Sequence, residues 1–336
     1  MNPTNTILSA VLLASASWLP SLAQAPAPPA NPAPPPAQTS TPAVGDEGPT
    51  IFSSDTRLVP LSVTVVDRTG HLVTNLPQSA FQVFENGVVQ QIKMFKREDV
   101  EISLGLIIDN SGSMRDKRKQ VATAALDLVK DSNPKDEVFI VNFNDEAFLD
   151  CDFTADTTKM EQALGKIDSR GGTAMRDAIR MSIDHLKQHA KRDKKVLLVV
   201  TDGNDNTSVE KLEDLVRKSH QSEVLIYSIG LLNEEEPREA KSAQRALKAL
   251  ADASGGLSYY PKTLPEVEKI TPQVAHEIRN QYLVAYSPTN PALDGTYRQI
   301  KVTVTGHNNV RTRAGYYATP ETAKTESKAE SESRAK

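Results

Sequence analysis

Five oxygen-bearing side chains stand where they could do chemistry together. They are Asp109, Ser111 and Ser113 in Asp109-Asn110-Ser111-Gly112-Ser113-Met114, Thr173 after Gly171-Gly172, and Asp202 in Thr201-Asp202-Gly203. Asp109 offers a carboxylate. Ser111 and Ser113 offer hydroxyl oxygens spaced two apart, so both can turn to one side of a tight loop, and Gly112 between them relaxes the backbone. Oxygen-only ligation selects a hard cation, Mg²⁺, Mn²⁺ or Ca²⁺, and disfavours zinc or copper. One carboxylate from each of two strand ends plus three hydroxyls leaves an incomplete shell, which water or a partner's Asp or Glu would fill. The competing reading is loop and cap chemistry, because Ser and Asp are favoured helix caps and Thr173 could cap the helix that follows it. Asp205 reads as a turn residue rather than an outer acceptor for the same ion.

The elements that must position these residues begin at residue 101, where the rhythm becomes strand, helix, strand. Residues 102–108 (ISLGLII) form a continuous apolar run, as expected for a strand buried on both faces, and Asp109 ends it. Helical spacing follows over 114–130, a strand over 137–143, an edge strand over 147–153, and helices over 157–167 and 174–189. The buried strand 195–201 ends at Asp202. After it come a helix over 208–220, a strand over 223–229, a helix over 238–253, a short strand over 256–260 and a last helix over 264–279. This alternation predicts an α/β fold with a doubly wound, mainly parallel sheet, whose ligands bind at the carboxyl ends of the strands. Asp109 and Asp202 both fall at that end.

Both flanks read as β. Residues 57–97 contain a period-two strand at 61–65, a strand at 81–85, a tight turn at Glu85-Asn86-Gly87 and a return strand over 88–95. After residue 280 the β pattern returns at 282–286, 297–305 and 310–317. Neither flank closes a sandwich alone, so the expectation is that residues 51–100 and 281–318 pair with each other and the α/β unit, 101–280, is inserted between them.

Outside these segments the chain reads as unstructured. Residues 7–19 (ILSAVLLASASWL) are an apolar run too short to span a bilayer comfortably, and Ser21-Leu22-Ala23 suits signal-peptidase cleavage after Ala23. Cleavage after Ala25 would place Pro26 next to the cut, and the absence of Lys or Arg in the first six residues departs from the usual pattern. An export signal over 1–23 is therefore expected, followed by a Pro-rich spacer over 24–50 and a charged, small-residue tail over 319–336. The expected location is periplasmic, secreted or at the cell envelope.

The formal net charge of -4 argues against a general nucleic-acid or anionic-membrane binder. No Gly-rich phosphate loop of the G-x-x-x-x-G-K form is present, and no G-x-G-x-x-G follows the first strand of the α/β unit, so a nucleotide ligand is not expected. Asn110-Ser111-Gly112-Ser113 is not a G-x-S-x-G elbow, and no His is evidently placed to activate a serine. His185 and His189 stand four apart, with no partner to complete a zinc site, and read as a solvated helical face. The basic run Lys191–Lys195 reads as a solvated turn. Cys151, the single cysteine, reads as a small buried hydrophobe.

Asp109-x-Ser111-x-Ser113 after a buried strand, then Gly-Gly-Thr173, then Thr-Asp202-Gly after another buried strand, resembles the metal-ion-dependent adhesion site of von Willebrand factor type A domains. The resemblance spans roughly residues 101–280 and matches all five positions. It implies that Ser111, Ser113 and Thr173 ligate the metal directly, that Asp109 and Asp202 act directly or through water, and that a ligand carboxylate enters the open position. Phe81-x-Val83-Phe84-Glu85-Asn86-Gly87, Tyr282-x-x-x-Tyr286-Ser287-Pro288 and Arg313-Ala314-Gly315-Tyr316-Tyr317 further resemble a bacterial group of exported "VWFA-related" proteins of the Acidobacteria type. The implied function is a divalent-metal-dependent, adhesion-type protein-binding module and not an enzyme. An envelope scaffold with a structural metal and a metal-dependent hydrolase are the rival readings.

Overall fold

The order of elements follows the patterns above, beginning with the N-terminal β stretch. The computed structural model describes residues 57–320, apart from 98–99, 131–132 and 167–168. The expected export signal, the Pro-rich spacer and nearly all of the charged tail lie outside the described residues. Strands β1 (Val59–Val66), β2 (Phe81–Glu85), β3 (Val88–Gln90) and β4 (Ile92–Lys96) come first. The α/β stretch runs β5 (Ile102–Asp109), α1 (Arg118–Lys130), β6 (Glu137–Phe143), β7 (Ala147–Thr154), α2 (Thr157–Leu164), α3 (Met175–His189), β8 (Lys194–Thr201), α4 (Leu212–Ser222), β9 (Val224–Gly230), α5 (Pro237–Ser254), β10 (Ser258–Tyr259) and α6 (Leu264–Arg279). Strands β11 (Tyr282–Tyr286), β12 (Tyr297–Val304), β13 (Asn309–Arg311) and β14 (Gly315–Tyr317) close the described chain. No helix among the described residues is long and apolar enough to cross a membrane.

The central sheet has the order β10-β9-β8-β5-β6-β7. All neighbours are parallel except β6 and β7. Every residue of β5, β6 and β9 is buried, which explains why these strands are mostly apolar on both faces. Alternation divides β5 between two cores. Ile102, Leu104, Leu106 and Ile108 pack with residues of α1, α2 and α6, while Ile107 packs with residues of α3, α4 and α5. Gly105 shares the second face, where the Phe139 ring fills the space a side chain would take: an added Cβ would lie 2.4 Å from it. Because β5 lies between β8 and β6, the chain leaves it in one direction and later returns on the other side. The carboxyl ends of β5 and β8 therefore frame the topological switch point.

The flanking stretches pair with each other. β1 is antiparallel to β11, with Val59 opposite Tyr286, and β2 is antiparallel to β12, with Val83 opposite Val302. Two four-stranded sheets result, β13-β1-β11-β4 and β14-β12-β2-β3. Their inward residues, among them Leu61, Val63, Val83, Val284 and Val302, form one apolar core. The single return strand expected over 88–95 is instead two strands. β3 pairs with β2 and β4 with β11, so the chain changes sheet at Gln91. Two expected helices also begin later than their spacing implies. The one expected from 114 starts at Arg118 after a 3-10 turn, Gly112–Met114. The one expected from 208 starts at Leu212, because the amides of Ser208, Val209 and Glu210 are bound by the carboxylates of Asp205 and Asp177 instead.

His185 is not a solvated residue. Its ring stacks on Phe153 at 5.1 Å, and its Nε2 lies 2.9 Å from Asp152. Cys151 is partly rather than fully buried, packed against the core from the edge strand β7.

His220 joins the two halves of the fold. From α4 it lies edge-on to Tyr297 at 5.1 Å, with Nδ1 3.3 Å from the Gly315 carbonyl. Burial holds its pKa below the ordinary histidine value, the Gly315 carbonyl opposing and Arg313 adding to the effect. With a depressed folded-state value, the unfolded chain takes up the proton first as the pH falls. The stability given by neutral His220 is thus complete above its unfolded value and lost on acidification. The stability gap between wild type and His220→Gln is expected to be constant above about pH 7 and to narrow toward about pH 5. Denaturant melts across that range measure it, and a gap independent of pH would contradict the buried, neutral ring.

Candidate metal centre

Asp109 is the last residue of β5 and is fully buried. Its Oδ1 accepts the Ser111 amide at 2.8 Å and its Oδ2 accepts the Thr201 hydroxyl at 2.6 Å. The carboxylate is thereby fixed from its own loop and from the end of β8. Burial pushes its pKa up to about 6, against the hydrogen bonds from Ser111 and Thr201, and the charge of Asp202 adds to the rise. The 3-10 turn after it is closed by Met114 N donating to Ser111 O at 3.2 Å. That turn brings Ser111 Oγ and Ser113 Oγ to 3.1 Å from each other, and the Ser113 hydroxyl donates to Asp202 Oδ1 at 2.8 Å. Asp202, immediately after β8, is likewise buried.

Thr173 reaches the same place from a third loop. Gly112 N donates to Gly171 O at 3.3 Å and Arg170 N to Asn110 O at 3.1 Å, strapping this loop to the serine loop. Gly171 has φ +74°, in the left-handed region, and a Cβ there would strike the Asp145 carboxylate. Thr173 N donates to Asn206 Oδ1 at 2.8 Å and Thr173 O accepts Asn206 N at 3.1 Å, tying it to the loop beyond Asp202. A methyl group placed on Gly203 would lie 3.8 Å from Thr173 Oγ1. Thr173 does not cap α3. The N-cap is Ala174, and the Arg176 amide is satisfied by Asp205 Oδ2 at 2.7 Å. Among the described residues no hydrogen bond engages the Thr173 hydroxyl. The structure thus brings all five candidate residues to one end of the sheet. Asp205 is set apart from them by its bonds to Arg176 and Ser208.

Three charged residues at this place were not anticipated. Lys117 Nζ donates to Asp202 Oδ2 at 2.7 Å, with the Lys117 side chain 11% exposed and that of Asp202 0%. Arg118 is fully buried and donates to Asn142 Oδ1 at 2.6 Å. Burial holds its pKa down at about 10, against the charges of Asp150 and Asp109. Its Nε and Nη1 have no hydrogen-bond partner among the described residues. Glu235, between β9 and α5, would meet a methyl group on Gly203 at 3.0 Å through Oε1. Burial raises its pKa, Asp202 adds to the rise, and Lys117 opposes it.

The donor set fits a hard divalent cation, since it consists of hydroxyl and carboxylate oxygens only. Among the described residues no three His, Cys, Asp or Glu side chains gather as a metal-binding group, so a cation here depends on the hydroxyls. Lys117 shows that this end of the sheet accommodates a positive group against Asp202. The histidines that form side-chain hydrogen bonds make them elsewhere, to Thr69, Asp152, Gly315 and Asn280.

Residues 104–204 match the family model described as von Willebrand factor type A domain, a span that includes all five candidate residues. No curated protein matches the chain. Similar solved structures include an aerotolerance-related membrane protein from Bacteroides fragilis, 17% identical with a TM-score of 0.43, covering 52% of this chain and 98% of that one. Another is the vWF domain of the type V pili tip protein Mfa5 from Porphyromonas gingivalis, 14% identical with a TM-score of 0.44, covering 54% and 95%. A third is proximal thread matrix protein 1 from the mussel byssus with a zinc-occupied MIDAS motif, 16% identical with a TM-score of 0.46, covering 58% of this chain and 50% of that one. The chain thus contains a match to the von Willebrand factor type A domain over residues 104–204, a stretch that includes β5 and β8 at the centre of the doubly wound sheet.

Proposed function

We propose that this chain is a divalent-cation-dependent protein-binding module of the adhesion type that works outside the cytoplasm. The observation that carries the reading is the meeting of two serine hydroxyls, 3.1 Å apart, with two buried carboxylates from separate strand ends. Ser111, Ser113 and Thr173 would hold the ion through their hydroxyls, and Asp109 and Asp202 directly or through water. Mg²⁺, Mn²⁺ and Ca²⁺ are the candidates. A bound cation supplies an electrophilic centre that an Asp or Glu carboxylate of a protein partner can join. The chain's own part is to hold hydroxyls and carboxylates in place before the ion arrives, since Asp109 is fixed by Ser111 N and Thr201 Oγ1 and Ser113 by Asp202. Binding rather than catalysis is supported by the contacts of the serines: the Ser113 hydroxyl donates to a carboxylate already ion-paired with Lys117, and among the described residues no histidine hydrogen-bonds to Ser111 or Ser113. The apolar run at 7–19 supports export.

Calorimetric titration of Mg²⁺, Mn²⁺ and Ca²⁺ into the purified chain tests the reading. One site is expected, with affinity about 10–100-fold weaker in Ser113→Ala, whose melting without metal stays close to wild type. Absence of binding for all three ions in the wild type would overturn it. Partner capture that is unaffected by a chelator would instead favour a scaffold with a structural ion.

A further inference from the structure

Asp202 has no free oxygen. Oδ1 accepts the Ser113 hydroxyl at 2.8 Å and Oδ2 the Lys117 ammonium at 2.7 Å. The ammonium is nearly as buried as the carboxylate it serves, so this is an enclosed ion pair and not a surface contact. Lys117 is also built into its position. Its amide donates to Met114 O at 2.9 Å, and its carbonyl accepts both Gln120 N and Val121 N at 3.1 Å, so it marks the join between the serine turn and α1. One turn beyond Ser113, its side chain returns to the same carboxylate that the serine contacts.

We infer that Lys117 is a tethered cation that occupies the metal site's Asp202 and competes with the divalent ion for it, so that Lys117 sets the metal affinity of this domain. The inference rests on the metal-site reading above. Two charge balances support it. Lys117 already compensates Asp202 in the absence of metal, through the 2.7 Å contact between ammonium and carboxylate. Glu235 stands beside the Asp202 loop, its Oε1 3.0 Å from where a methyl group on Gly203 would lie, and offers the ammonium a second carboxylate when a metal claims the first. The segment that carries Glu235 is held against the site. Leu231 N donates to Thr201 O at 2.9 Å, and Asn204 Nδ2 to Glu239 Oε2 at 2.7 Å. An ammonium about 6 Å from a divalent ion repels it enough, even with the screening of bulk water, to weaken binding about tenfold.

The test compares the full chain as wild type, Lys117→Met and Lys117→Arg by Mn²⁺ calorimetry and by melting with and without Mn²⁺. Lys117→Met is expected to bind Mn²⁺ about tenfold or more tightly than wild type. It should melt lower than wild type in chelator, because Asp202 is then buried without a counter-ion, and Mn²⁺ should raise its melting point more than it raises that of wild type. Lys117→Arg keeps the charge and should stay near wild type. A second readout uses the unaltered protein: amine acylation followed by mass spectrometry should label Lys117 several-fold faster with Mn²⁺ than with chelator. Equal or weaker Mn²⁺ affinity in Lys117→Met, or labelling unchanged by Mn²⁺ in a wild type that binds it, overturns the inference. Binding by Lys117→Met but not by wild type would support it in its strongest form. Absence of binding in every variant removes the metal-site reading and this inference with it.

Discussion

Replacing Asp109 by Asn is expected to weaken cation binding by about 100-fold and to leave the metal-free protein at least as stable as wild type. The two effects separate because the geometry of the side chain survives while its charge does not. Asn keeps an oxygen for the Ser111 amide, and its amide group can donate to the Thr201 hydroxyl, which then turns to donate elsewhere, with the Gly203 carbonyl at 3.4 Å. What disappears is an ionised carboxylate that burial already disfavours. An uncharged isostere avoids that desolvation cost, so melting in chelator is expected to occur at or above the wild-type temperature. Cation affinity depends on the lost charge and is expected to fall by about 100-fold. Calorimetry with Mn²⁺ and parallel melts in chelator measure both quantities. A variant that binds Mn²⁺ like wild type would remove Asp109 from the site. One that unfolds in chelator would make Asp109 a structural residue, and the loss of binding would then carry no information about ligation.

The same separation distinguishes what was legible in the sequence from what was not. The buried strands β5, β6 and β8 were legible because parallel strands covered on both faces leave unbroken apolar runs. Asp109 and Asp202 were legible because each ends such a run, and topology then puts both at one end of the sheet. Lys117 and Arg118 were not, since they stand in a charged stretch, Arg115-Asp116-Lys117-Arg118-Lys119, that looks like a solvated helix end. A signal was present nonetheless. Lys117 lies four residues after Ser113, the spacing that returns a side chain to the same side of a helical turn. Glu235 was hidden in Glu234-Glu235-Glu236 for a different reason: only the packing of the segment after β9 against the Asp202 loop singles out one carboxylate of three. Asp205 is the turn residue it looked like, bonded to Ser208, but its carboxylate also accepts the Arg176 amide at the start of α3, 29 positions away, which the sequence did not show. The change of sheet at Gln91 is visible only in the partners, β2 for β3 and β11 for β4, which no local pattern names. In each case the missing information is which distant segment lies alongside, and no local period encodes that.

Glu277→Ala is expected to cost about 3 kcal/mol of stability, because Glu277 is the acceptor that ties the last helix of the α/β unit to the flanking sheets. It is buried on α6 and receives the Tyr227 hydroxyl from β9 at 2.7 Å. The guanidinium of Arg311 on β13 bonds the same carboxylate oxygen. Gln281 extends the chain of contacts, its Nε2 donating to Tyr227 Oη at 3.1 Å and to Thr64 Oγ1 on β1 at 2.9 Å. Removing the carboxylate leaves a fully enclosed tyrosine hydroxyl and a largely enclosed guanidinium without an acceptor. The Arg311 side chain is 28% exposed and recovers some hydration, which keeps the expected cost at the lower end for a buried pair. For a domain of this size the loss corresponds to a fall of about 6–12 °C in melting temperature. Glu277→Gln retains an acceptor and should lose less than half as much. Arg311→Met added to Glu277→Leu should recover part of the loss, because an apolar pair leaves only the Tyr227 hydroxyl to satisfy, and Gln281 already contacts it. Denaturant and thermal melts in chelator separate these outcomes from any effect of a bound ion. A Glu277→Ala protein within about 1 kcal/mol of wild type would mean that water replaces the carboxylate, and that helix α6 is held to the flanking sheets by its apolar face alone.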